Sequence, residues 1–97
     1  MAGRPSREAV ARWNEAYAEQ TSALFAAMRS ASDDLAAVRR LAHAYHAVAI
    51  AWRALSADLA APLWARHASA VAAEEFERRA RMEFDRADSA QRPGEIT

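Results

Sequence analysis

The chain has 97 residues, enough for one small domain with a single core. It carries 13 basic and 13 acidic residues, so its formal net charge is zero, and it contains no cysteine. The missing cysteines exclude disulfides, thiolate catalysis and thiolate metal sites. The neutral charge argues against non-specific nucleic-acid binding, which depends mainly on excess positive charge.

Alanine shapes the composition more than any other residue type. It occupies 28 of the 97 positions, and all the basic residues are arginine. Because alanine is the strongest helix former and buries little surface, the composition predicts long helices with few large side chains in the core.

The apolar runs are short. None approaches the ~20 residues that a membrane-spanning helix requires, and the first ten residues contain no stretch of signal-peptide type. We therefore expect a cytoplasmic protein without membrane segments.

The first predicted helix covers residues 7–30, after an N-terminus (residues 1–5) that we expect to be disordered. Ser6 is a suitable N-cap for it. Large apolar residues then recur mostly three or four positions apart, as an amphipathic helix requires. They are Val10, Trp13, Tyr17, Leu24, Phe25 and Met28.

The second predicted helix covers residues 33–60, with its N-cap at Ser32 or Asp33. Its main apolar stripe runs in a near-heptad series through Leu35, Val38, Leu41, Tyr45, Val48, Trp52, Leu55 and Leu59. A second, smoother surface consists of Ala36, Ala47, Ile50 and Ala54. Because a helix that is apolar on two sides is usually central, we expect other elements to pack on both sides of it.

Pro62 separates the second helix from a third, predicted over residues 63–90. Proline is tolerated at a helix start, so a turn here is preferred over one kinked helix. Trp64, just after this proline, is expected to be partly exposed at an end of the bundle. The tail, residues 91–97, is expected to be disordered.

These elements predict one all-α domain over residues 6–90, an elongated antiparallel three-helix bundle with short connections. The alternative is a helical hairpin with a third helix that completes its core only in a dimer.

Residues typical of catalysis or metal binding are sparse. His43 and His46 share a helix face and, with His67, are weak candidates for metal ligands. The Glu-x-x-His pairs of helical di-metal sites are missing, as is any glycine-rich phosphate loop. We therefore predict no metal, no cofactor and no enzymatic activity, with a small helical enzyme or metal protein as a remote alternative.

The leading functional hypothesis is a non-enzymatic interaction or assembly subunit that self-associates or docks on a larger complex. Its motivation is the two-sided second helix and the aromatic residues on the charged third helix. The predicted interface consists of Ile50, Phe76, Met82 and Phe84, with Arg79 and Arg81 at its polar rim.

A second hypothesis concerns three arginines on the second helix. Arg39, Arg40 and Arg53 could line one side of the bundle and contact a phosphate backbone. The protein would then be an accessory subunit of a ribonucleoprotein or DNA-packaging complex, contacting nucleic acid only as part of that complex.

Overall fold

The computed structural model describes residues 5–91, which form three α-helices and no strand. Helix α1 spans Arg7–Arg29, α2 spans Leu35–Ser56 and α3 spans Leu63–Ala90. The predicted all-α three-helix bundle is confirmed. The disorder predicted for the two termini falls, apart from Pro5 and Gln91, outside the described residues.

Helix α2 lies between the other two helices and runs antiparallel to both. It packs closely against α1 and α3, whereas no Cα atom of α1 comes within 8 Å of one in α3. Their nearest aromatic contact is through side chains, where Tyr17 and Phe76 meet edge to face with ring centroids 6.2 Å apart. The bundle is long and flat, about 60 × 24 × 15 Å. The outer side of α3 therefore has no helix of the described chain against it.

Helix α1 begins where the sequence predicts. The Ser6 hydroxyl accepts a hydrogen bond from the Ala9 amide at 3.1 Å, which caps one of the free amides of the first turn. At the other end, the Ser30 side chain donates to the Ala26 carbonyl at 2.7 Å and helps to close the last turn.

Helix α2 begins later than predicted, and its N-cap is Asp34 rather than Ser32 or Asp33. The Asp34 carboxylate accepts a hydrogen bond from the Ala37 amide at 3.1 Å. Three consecutive residues of capping type precede the helix, so composition alone could not choose among them.

We expect Asp34→Ala to lower the free energy of unfolding by about 1 kcal/mol, because it leaves the Ala37 amide without its cap. The matched substitution Asp33→Ala should change it by less than about 0.5 kcal/mol, as for most surface positions. Urea unfolding of the two variants measures the difference. Equal losses would contradict the assignment of the cap to Asp34.

Helix α2 also ends earlier than predicted, at Ser56 instead of residue 60. Asp58 directs the chain into the turn: its carboxylate accepts hydrogen bonds from the Ala60 amide at 3.0 Å and from the Ser6 amide at 2.7 Å. An aspartate that bonds the backbone two residues ahead favours a turn over helix. Pro62 then stands at the N-cap of α3 with extended backbone, so the proline marks a turn and not a kink.

The core is built largely from small side chains. Val48 is the largest residue with a fully buried side chain, and Ala23, Ala42 and Ala73 are completely inaccessible. The central cluster consists of Ala23, Leu41, Ala44, Tyr45, Val48, Ala49, Phe76 and Ala80. Trp52 packs against this cluster from a half-buried position, as its place on the main stripe predicts. Alanines at the contacts allow the helices to approach closely, which leaves little room for larger side chains.

Candidate interaction surface on α3

The structure divides the predicted interface residues between the core and the surface. Phe76 is only 8% exposed and belongs to the central cluster, where its ring lies 6.0 Å from that of Tyr45. Phe84 is half-buried and packs against the same cluster, with its ring edge-on to His43. Both aromatic residues therefore pack in the monomer, and Phe76 is too deeply buried to reach a partner.

The two predicted rim arginines lie on different sides of α3. Arg79 folds back over the Phe76 ring, 4.9 Å from its centroid, and pairs with Glu75 at 2.8 Å. Its cation–π contact covers the edge of the core. Arg81 is exposed, and its charge adds to the hydrogen bond from Arg53 that lowers the pKa of Glu77.

Ile50 and Met82 are both exposed, but they belong to separate surfaces. Ile50 lies 57% exposed at an open groove of about 360 Å³ between α1 and α2. This groove also contains Ala47, so the second surface predicted for α2 is not covered there by another described helix. Met82 lies on α3, and the two residues do not form one patch.

Met82 shares the outer side of α3 with two other large apolar residues. Trp64 is 75% exposed, and Val71 and Met82 are each 54% exposed. Their spacings of seven and eleven residues place them within about 20° of one line along the helix. The residues of α3 buried against α2 are on the opposite side (Ser69, Ala73, Phe76, Ala80 and Ala87).

We call this surface the α3 face: Trp64, Val71 and Met82, with Glu75 and Arg78 between them. Glu75 accepts hydrogen bonds from Arg78 at 2.6 Å and 3.0 Å and from Arg79 at 2.8 Å. These bonds lower the pKa of Glu75 to about 2. The centre of the α3 face is therefore an ionised pair, with apolar side chains on both sides of it along the helix.

Two further large apolar residues are exposed near Trp64, one in the turn before α3 and one at its first residue. Leu59 and Leu63 are more than three-quarters exposed and lie within five residues of Trp64. The predicted exposure of Trp64 at a bundle end is confirmed. Sequence analysis missed the exposure of Val71, although the near-heptad spacing of Trp64, Ala68 and Val71 was a usable signal.

The three arginines proposed for nucleic acid do not line one side of the bundle. Arg40 makes a two-pronged ion pair with Glu19 of α1, at 2.8 Å and 3.0 Å. Arg53 makes an equivalent pair with Glu77 of α3, at 2.9 Å and 3.1 Å. Arg39 lies half-buried on α2. Arg40 and Arg53 thus point to opposite flanks of α2 and link it to its neighbours, so the geometry does not support a continuous phosphate-binding track.

These ion pairs predict how stability depends on pH. Hydrogen bonds from arginine lower the pKa of Glu19, Glu77 and Glu75 below the ordinary value of 4.5. Since the folded pKa is depressed, the stabilisation is present above about pH 4.5 and disappears as pH falls through the folded value. For Glu75 that window runs from 4.5 to about 2.

We expect the melting temperature to fall with acidification across this window, and Glu75→Gln to make the fall smaller. The effect should be modest, because the pairs are solvent-exposed. Thermal melts followed by circular dichroism between neutral pH and pH 2 measure it. If acidification lowered the melting temperatures of the wild type and of Glu75→Gln equally, the Glu75 ion pairs would not contribute to stability.

The histidines do not converge. His43 and His46 are exposed on α2, whereas His67 is exposed near the start of α3. The antiparallel pairing places His67 on the order of 20 Å along the bundle from the other two. Within residues 5–91, no group of three or more His, Asp or Glu side chains is arranged to hold a metal ion.

Two further findings complete the description. In the described part of the chain, no helix has the length and apolar character needed to cross a membrane. Comparison of the chain with protein-family models, with curated proteins and with solved structures found no match.

Proposed function

We propose that this protein is a non-enzymatic interaction or assembly subunit whose contact surface is the α3 face. The observation that carries this proposal is the exposure of Trp64, Val71 and Met82 in one line, directly opposite the buried side of α3. The outer side of a surface helix is normally polar, and large apolar residues exposed together on one side typically mark interaction sites.

Burial of this surface against a partner would be favourable in free energy. Full burial of a large apolar side chain contributes about 1.5–3 kcal/mol. Each of the three side chains is more than half exposed on the side of α3 away from α2, so much of its apolar surface is left for a partner to bury. A tryptophan near the end of the line is also the residue type that most often dominates interface energies.

The test is the native mass of the tagged chain produced in its own host, measured by light scattering after gentle purification. We expect the wild-type chain in a particle larger than a monomer, and Val71→Glu as a monomer. The matched control is Ile50→Glu, because Ile50 is equally exposed but lies on the α1–α2 groove. This control should leave the particle intact.

Circular dichroism establishes that both variants keep the helical fold. A wild-type chain that is monomeric in its host, or a Val71→Glu chain that retains the full particle, would remove the proposed function. Loss of the particle in Ile50→Glu alone would move the contact surface from α3 to the α1–α2 groove.

A further inference from the structure

We propose that the partner of the α3 face is a second copy of this chain, docked antiparallel about a two-fold axis that passes between residues 76 and 77. This inference rests on the proposed function and identifies the partner for the same surface. It is carried by the order of charged and apolar residues along the exposed line of α3.

The exposed line of α3 has heptad spacing, with apolar residues at positions 64, 68, 71 and 82 and charged or polar residues at positions 75, 78, 85 and 89. Positions 64, 68, 71, 75, 78, 82, 85 and 89 alternate in steps of four and three residues, as the contact positions of a two-helix coiled coil do. All lie opposite the side of α3 that packs on α2. The face that a second helix would need is therefore the face that the monomer leaves open.

The antiparallel register pairs the two central apolar residues with each other, whereas Trp64 lies opposite Ser89 and Ala68 opposite Asp85 of the second copy. With the axis between residues 76 and 77, Val71 lies opposite Met82 of the second copy, and the pair occurs twice by symmetry. The same register places Glu75 opposite Arg78 of the second copy, also twice. One arrangement of the two helices thus forms two Val71–Met82 contacts and two Glu75–Arg78 ion pairs.

The charge order makes the surface self-complementary. Glu74 and Glu75 precede the axis, and Arg78 and Arg81 follow it, all within the shallow exposed surface around Val71. Glu77, which also lies beyond the axis, is paired with Arg53 of its own chain. An antiparallel second copy brings Glu74 and Glu75 of one helix towards Arg78 and Arg81 of the other. A parallel second copy would instead place Glu75 against Glu75 and Arg78 against Arg78, and like charges in contact cost binding energy.

In the monomer, Glu75 already has two arginine partners, so one of them can pair with the second copy. Glu75 is bonded by two guanidinium groups, those of Arg78 and Arg79. When Arg78 reaches Glu75 of the second copy, Arg79 remains to neutralise Glu75 of its own chain. Docking therefore leaves the Glu75 carboxylate of each chain with an arginine partner.

The length of the contact line indicates the size of the dimer interface. The line from Trp64 to Ser89 covers 26 residues, a helix length of about 39 Å. One pair of helices with charged layers at its centre belongs at the small end of specific interfaces. We therefore expect a reversible dimer whose population depends on protein concentration.

The experiment reverses the charge of Glu75 in one variant and of Arg78 in another. Each of the single variants Glu75→Arg and Arg78→Glu places like charges at both central layers, and we expect each to weaken dimerisation by at least about tenfold. In an equimolar mixture of the two variants, each central layer of the mixed dimer again holds one arginine and one glutamate, supplied by different chains. Sedimentation equilibrium of purified protein over a micromolar-to-millimolar series should show the mixture dimerising like the wild type.

The mixture tests ion pairs between chains separately from ion pairs within one chain. Neither variant regains its own intrachain pair in the mixture, so recovery cannot come from a repaired monomer helix. Ile50→Glu serves as the charge control on another surface and should leave dimerisation unchanged. Circular dichroism at low concentration checks that the single variants are folded.

Several results would overturn the inference. A wild-type chain that stays monomeric across the series removes the homodimer. If Val71→Glu still abolishes a larger particle in the host, the proposed function stands and the partner is a different protein. A dimer that is insensitive to both single charge reversals, or that the mixture fails to restore, excludes the antiparallel register.

Discussion

Truncation of Phe76 to alanine is expected to lower the free energy of unfolding by about 3–5 kcal/mol. Its ring is 8% exposed, contacts the rings of Tyr17 and Tyr45, and is covered by the Arg79 guanidinium. Through its contact with Tyr17, Phe76 also joins α3 to α1. The loss is a large part of the roughly 5–15 kcal/mol that stabilises a typical domain.

The matched control for Phe76 is Met82→Ala on the same helix. Met82 is 54% exposed on the α3 face, so its truncation should change the stability of the monomer by less than about 0.5 kcal/mol. Urea denaturation at low protein concentration, where the monomer dominates, measures both. If Phe76→Ala proved as mild as Met82→Ala, the assignment of Phe76 to the core would be wrong.

Enlarging Ala73 to leucine is the second change with a large expected effect. Ala73 has no accessible surface and faces α2, where the helices approach through alanines. The larger side chain cannot be accommodated without moving α3 or forcing side chains from their rotamers. Overpacking of this kind typically costs about 1–3 kcal/mol.

Ala68→Leu provides the comparison for Ala73→Leu. Ala68 lies on the same helix but is exposed, and leucine has nearly the helix propensity of alanine. At low protein concentration, where the monomer dominates, we expect this variant to unfold at nearly the same urea midpoint as the wild type, and Ala73→Leu at a clearly lower one. Similar midpoints for the two variants would mean that the α2–α3 contact is looser than the structure shows.

Much of the fold follows from local sequence. Alanine and arginine at high frequency favour helix, Ser6 and Pro62 mark helix starts, and the periodic apolar residues place α2 at the centre. These signals are short-range, so they are readable without knowing which elements meet. The details that sequence analysis missed, the cap at Asp34 and the early end of α2, depend on single hydrogen bonds chosen among similar residues.

The exposed side of α3 was less predictable, because α3 has apolar residues on two opposite sides. One set includes Phe76, and the other includes Val71 and Met82; both have helical spacing, so periodicity by itself determined that α3 is a helix but not which side is buried. Only the tertiary structure decided this. Helix α2 takes the side whose alanines allow close approach, and the opposite line remains exposed because α1 packs on the other flank of α2.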